Sequence, residues 1–167
     1  MAETRTVVLE HDRIRRKLRR MAYQVYEQNV HESSLVLVGV APRGARLAER
    51  LKVHLEEISP LGIELHELVL DKDAPMKSPA RLGKGDVDLE GRVVVLVDDV
   101  LMSGRTLMYA AAHLIGSPLK RLTTVVLVDR RHRSFPIRAD IVGLTLSTTL
   151  QEHISVELGR TDTVYLS

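Results

Sequence analysis

The chain has 167 residues, 44% apolar and 28% charged, enough for one hydrophobic core and too balanced for a disordered or membrane-embedded protein. The absence of cysteine excludes a disulfide framework, a thiolate metal site and a cysteine nucleophile, and one Phe, four Tyr and no Trp argue against aromatic stacking platforms for nucleic acid. Net charge is only +2 although the pI is about 9.0, no apolar run approaches a membrane span, and the first residues lack a signal-peptide core, so a cytoplasmic protein with a single domain over residues 1–167 is expected.

From residue 11 to 26 the apolar residues Ile14, Leu18, Met21, Ala22 and Val25 recur at helical spacing, with Arg13, Arg15, Arg16, Lys17, Arg19 and Arg20 on the other faces. Residues 35–40 form a continuous apolar run that fits a strand buried on both faces. The turn Ala41-Pro42-Arg43-Gly44 leads into a second helical pattern with Leu47, Ala48, Leu51, Leu55 and Ile58 inward. Residues 63–70 read as a strand, and residues 71–88, rich in Asp, Lys, Pro and Gly, as a long mobile loop or weak hairpin of the kind that often serves as a lid. Residues 93–97 are the most apolar strand, and a helix starts near Ser103 or Gly104 and runs to about Ile115. Residues 122–128 read as a further buried strand, residues 129–138 as a strongly basic segment, and residues 139–142 and 163–166 as short strand candidates. Strands alternating with helices, and apolar on both faces, predict an α/β fold with a largely parallel sheet, in which ligands bind beyond the carboxyl ends of the strands.

At such an end lies Asp98-Asp99-Val100-Leu101-Met102-Ser103-Gly104-Arg105-Thr106, which joins a buried strand to a helix N-terminus. Ser103, Gly104 and Thr106 offer a phosphate monoester free backbone N–H groups, a close-approach glycine and two hydroxyls, reinforced by the positive end of the helix dipole. The adjacent carboxylates of Asp98 and Asp99 suit sugar hydroxyls, or a magnesium ion supported through water. The bland alternative is that the acids cap the helix and Gly104 permits the turn, but capping alone does not require all these elements together.

The string resembles the phosphoribosyl pyrophosphate (PRPP) motif of type I phosphoribosyltransferases, and is especially similar to the pyrimidine-operon attenuation regulators that double as uracil phosphoribosyltransferases. The segment Leu127-Val128-Asp129-Arg130-Arg131-His132-Arg133-Ser134-Phe135-Pro136-Ile137-Arg138-Ala139-Asp140-Ile141-Val142-Gly143 resembles that family's stretch after the motif. Ile14-Arg15-Arg16 and Val38-Gly39-Val40-Ala41-Pro42-Arg43-Gly44 fall where its opening helix and pyrophosphate loop belong.

The resemblance implies the type I phosphoribosyltransferase fold: a mostly parallel central sheet flanked by helices, with a small hood and a flexible active-site loop. It implies transfer of the phosphoribosyl group of PRPP to a nucleobase, with uracil giving UMP, and with Mg2+ held mainly through substrate oxygens near Asp98 and Asp99. Val100 to Thr106 would hold the 5′-phosphate and ribose with the two acids, and Pro42, Arg43 and Gly44 would face the pyrophosphate, with a cis Ala41–Pro42 bond. Lys72 and Arg81 of the flexible loop would reach the pyrophosphate. Here Leu70-Asp71-Lys72-Asp73 departs from the family's Tyr-Arg-Asp-Asp string, and lysine lacks arginine's bidentate fork. Residues 129–142 would form part of the hood, with Arg130, Arg138, Ile141 and Val142 at the base. Relatives also bind a messenger RNA leader, which points to Arg15, Arg16, Arg19, Arg131 and Arg133, and they form homodimers or higher assemblies. Each assignment has a plainer alternative: an ordinary loop proline at 42, a solvated charge at Arg43 or Lys72, core at Ile141 and Val142, and solvated basic faces elsewhere. The histidines show no metal constellation, His54 and His66 lying on different elements and His153 far away in sequence.

Overall fold

The computed structural model describes residues 4–167. Two sheets organise it. The larger has the order β4-β3-β2-β5-β6-β7, made of β2 (Ser34–Val40), β3 (Gly62–Val69), β4 (Arg81–Leu82), β5 (Val93–Leu101), β6 (Arg121–Asp129) and β7 (Ile141–Thr145). Every pairing in it is parallel except β3 with β4. The smaller sheet, in the order β1-β9-β8, joins β1 (Thr6–Leu9), β8 (Ile154–Glu157) and β9 (Thr163–Leu166) in antiparallel pairs.

Alternation along the central strands divides the core into two. Leu35 and Leu37 of β2 and Val93, Val95 and Val97 of β5 pack with α1 (His11–Glu27) and α2 (Arg43–Ile58), through Ile14, Leu18, Met21, Leu47, Leu51 and Leu55. Val36, Val38, Val94 and Leu96 point the other way, against Leu107, Ala110 and Leu114 of α3 (Arg105–Leu114). Both faces are therefore covered, which explains why β2 and β5 read as unbroken apolar runs rather than alternating ones. Each such side chain, fully buried, stabilises the fold by about 1.5–3 kcal/mol before the cost of ordering it. Leu9, Ile154, Val156 and Val164 of the small sheet join the α1–α2 side of this core.

The topology locates the site. After β2 the chain crosses through α2 to β3 on one side, and after β5 it crosses through α3 to β6 on the other. Connections therefore diverge at the carboxyl ends of β2 and β5, which is where ligand crevices form in open parallel sheets.

Several expectations need correction. The small covering layer is the β1-β9-β8 sheet, whereas residues 129–142 fold down over the start of α3 and along the edge of the large sheet. Ser134 and Phe135 donate backbone N–H groups to Ser103 O, at 2.8 and 3.0 Å. Strand β5 does not stop at residue 97 but runs to Leu101, carrying Asp98 opposite Val126 of β6. Of the two readings of residues 71–88, mobile loop or weak hairpin, the hairpin holds, its two-residue strand β4 pairing with Leu68 and Val69. Asp71 Oδ1 accepts the N–H groups of Asp73 and Ala74, both at 3.0 Å, which gives the start of this loop a defined turn.

Candidate active site

Where β2 and β5 end, a cleft of about 270 Å³ is lined by Arg43, Lys72, residues 98–107, Val126, Arg130, His153 and Ile154. A larger depression of about 480 Å³ lies between residues 80–89 and the end of α3, but it holds neither the acid pair nor the phosphate cradle. Volume alone does not identify the site; the chemistry of the lining does.

Asp98 and Asp99 are only 3% and 6% exposed, and Asp98 Oδ1 accepts the backbone N–H of Asp99 at 2.9 Å. Burial, then the neighbouring Asp99 charge, holds the Asp98 carboxyl well above the usual carboxylate range, and the Lys72 ammonium works against this. Two adjacent buried acids, only partly offset by Lys72, are an unfavourable arrangement that hydroxyl donors or a divalent ion would relieve. Beyond them, Gly104 takes φ 85° as the residue that opens α3, and Met108 N–H closes the first turn on Gly104 O at 2.9 Å. A non-glycine side chain there would be strained, and its Cβ would lie 2.7 Å from Ile137 Cγ2. Ser103 Oγ accepts the Arg105 N–H at 3.2 Å, so hydroxyl and N–H groups already converge at this N-terminus.

On the β2 side, the Ala41–Pro42 bond is cis, as the sequence predicts. Arg43 reaches the cleft, but Pro42 turns to the opposite side of the loop beside Ala45, Arg46, Glu49 and residues 65–67. Gly44 has a packing role: a Cβ there would lie 2.7 Å from Val97 O and 3.0 Å from Asp98 Oδ1, so α2 sits directly on the strand that carries the acids.

The remaining expected site residues separate. Lys72 lines the cleft, whereas Arg81 lies on β4 by the larger depression. Arg130 lines the cleft, but its donors are committed to its own chain. Ile141 is 1% exposed in the core beside α1, Val142 packs against the α3-side core, and neither lines the cleft because β7 pairs both with the middle of β6. Arg138 is exposed and also outside the cleft. His153 and Ile154 enter the cleft from the small sheet without having been expected there; no local sequence signal marks them, because pairing within that sheet brings them in.

Among the basic residues, Arg133 is engaged internally. Its Nη1 and Nη2 donate to the two Asp129 carboxylate oxygens, each at 2.8 Å, and its Nε donates to Ile137 O at 2.8 Å. Arg19 pairs with Glu57 at 3.5 Å and stands over the Tyr23 ring. Arg131 is exposed with φ 61°, and Arg15 and Arg16 make no ion pair among the described residues.

An acid pair leading into a phosphate cradle, placed where the crossovers of a parallel sheet diverge, defines a transferase of sugar phosphates. The chain belongs to the phosphoribosyl transferase domain family, whose model matches residues 5–159. It is 40% identical over 165 residues to the bifunctional protein PyrR of Chloroflexus aurantiacus, covering 94% of this chain and 90% of that one. It is 42% identical over 164 residues to the protein of the same name from Streptomyces coelicolor, covering 93% and 84%. In fold it is similar to the hypoxanthine phosphoribosyltransferase of Trypanosoma cruzi, with TM-score 0.73 and 21% identity over 84% of this chain and 81% of that one. No helix among the described residues is long and apolar enough to cross a membrane.

Proposed function

We propose that this chain transfers the phosphoribosyl group of PRPP to uracil, giving UMP and pyrophosphate. The observation that carries this reading is the single cleft in which the buried Asp98–Asp99 pair meets the Ser103–Thr106 cradle. The cradle takes the 5′-phosphate, the acids take the ribose hydroxyls, and Arg43 and Lys72 face the departing pyrophosphate. The base nitrogen displaces pyrophosphate at the anomeric carbon as positive charge develops on the sugar ring; the new C–N bond forms as the C–O bond breaks, and the base N–H proton is released. This chain contributes position and charge rather than a nucleophile. Among the described residues no group of three or more His, Asp or Glu forms a metal cage. The oxygen-only acid pair fits a hard divalent ion: Asp98 and Asp99 would support Mg2+ brought in with PRPP, and the ion would supply charge neutralisation for the pyrophosphate. The small sheet shares a core with the large one, which supports a single domain over residues 1–167.

The test is a screen of nucleobases with PRPP and Mg2+, following pyrophosphate release. Uracil should be converted, and Asp99→Asn and Thr106→Ala should each lower kcat/KM on the order of a hundredfold. Conversion of a purine base with uracil inert would replace the acceptor, and inertness towards every base would end the enzyme reading. A second reading is favoured by the exposed Arg15, Arg16 and Arg131 together with the word bifunctional in the relatives' names: regulation through an RNA leader in the cytoplasm, with a homodimer or higher assembly as the binding form.

A further inference from the structure

A guanidinium removed from water ordinarily has a carboxylate partner. Arg130 is 3% exposed, and among the described residues no carboxylate bonds to it directly, although its charge adds to the Thr149 hydrogen bonds that hold the Glu152 carboxyl below the usual range. Its donors go instead to neutral acceptors. Nε reaches Thr148 Oγ1 at 2.9 Å, Nη2 reaches Thr149 O at 3.3 Å and also Glu152 O, and Nη1 reaches the thioether of Met102 at 2.9 Å. Three of these acceptors lie in the turn 148–152, and the fourth lies in the loop leading from β5 into the phosphate cradle. The Arg130 N–H also donates to Leu101 O at 2.9 Å. One residue thus bridges the β5 exit and the segment that precedes the small sheet.

The turn it holds is closed on itself. Thr149 N–H donates to the Glu152 carboxylate at 2.5 Å, Glu152 N–H donates to Thr149 Oγ1 at 3.3 Å, and His132 Nε2 donates to Thr148 O at 2.5 Å. Next in the chain come His153 and Ile154, which line the cleft, and the His153 N–H and C=O are both paired with Ser167, at 2.7 and 2.9 Å. The turn on one side and the sheet pairing on the other therefore set where these two side chains stand relative to the acid pair and the cradle.

We infer that Arg130 is a positioning residue and that the wall it holds receives the acceptor base, because the acids, the cradle, Arg43 and Lys72 are taken by the donor and His153 and Ile154 remain. Arg130 pins the turn 148–152 to the donor loop at Met102 and so helps to fix these two residues in the cleft. This rests on the phosphoribosyl-transfer reading above. Its Nε and Nη2 are committed to the turn and its Nη1 faces Met102, so its contribution is made through the turn rather than by reading the base edge. Only a planar fork serves acceptors on two separate segments at once; a lysine would reach one of them.

The test uses the full chain as wild type, Arg130→Met, Arg130→Lys and Thr148→Val. Backbone amide exchange is followed over residues 146–154, PRPP affinity by titration with Mg2+, and kcat and KM with uracil. In Arg130→Met, exchange in the turn and KM for uracil should each rise on the order of tenfold, with the PRPP dissociation constant moving less than about twofold. Arg130→Lys should not rescue it, and Thr148→Val should show a smaller effect in the same direction. Weakened PRPP binding with an unchanged KM for uracil would overturn the inference, as would unchanged exchange and KM. Should Arg130→Met fail to fold, Thr148→Val decides by the same two readouts. Should the wild type convert no base, the transfer reading alone fails, and the exchange measurement still decides whether Arg130 holds the turn.

Discussion

Asp98 couples burial to function at the scale of one side chain. Because its pKa is raised in the folded protein, by burial first and by Asp99 second, the native state retains a proton that the unfolded chain loses near pH 3.9. Stability of the ligand-free protein should therefore fall as pH rises from that value through the folded pKa of Asp98. Asp98→Asn keeps an oxygen for the Asp99 N–H and removes the repulsion. It should raise ligand-free stability by about 0.5–2 kcal/mol, flatten this pH dependence and abolish transfer, all of which thermal unfolding across pH and the pyrophosphate assay would measure. Asp129 has the opposite sign. The Arg133 fork holds its carboxyl below the usual range, so the contribution of the pair is present above the unfolded pKa and lost as pH falls through the folded one. Arg133→Gln should destabilise at pH 7, and the gap from wild type should close in acid.

Between elements, the decisive contact is α2 lying on β5 at Gly44. Gly44→Ala should cost about 1–3 kcal/mol in urea unfolding, because the new methyl meets backbone rather than a side chain able to move aside. The same scale separates what was legible in the sequence from what was not. The helix α1 stripe of Ile14, Leu18, Met21 and Val25, and the buried runs of β2 and β5, show because local periodicity follows burial. The acid pair and the cradle show because they are contiguous. The four-residue strands β1 and β8 carry too few residues for periodicity and take their identity from distant partners. The continuation of β5 through Asp98 to Leu101 was hidden because acids are poor strand formers, and pairing with β6 overrides that preference. Lining by His153 and Ile154, and the bridging by Arg130, join separate segments and leave no local signature. That Ile141 and Val142 pack in the core rather than line the cleft was not legible, because an apolar pair next to a basic segment looks the same whether it faces a ligand or a core.

Across the whole molecule, charge and topology set the remaining expectations. If RNA binds the exposed α1 cations, Arg15→Gln with Arg16→Gln should weaken binding uniformly across leader sequences. It should also reduce the salt slope by roughly 0.7 for each lost phosphate contact on a single strand, while leaving uracil transfer intact. Filter binding at several salt concentrations would decide; an unchanged slope would locate the RNA elsewhere. The small sheet carries a different consequence, one of order in time. Among the described residues, strand β1 pairs with β9 alone, and Arg5 meets Glu157 across 152 positions of chain. During vectorial synthesis β2, β5 and the phosphate cradle emerge and can pack long before that partner exists. A ribosome-bound chain halted after β7 would hold its donor pocket without the wall of His153 and Ile154, with β1 waiting as an unpaired edge, and the cleft would close only once β9 has left the exit tunnel.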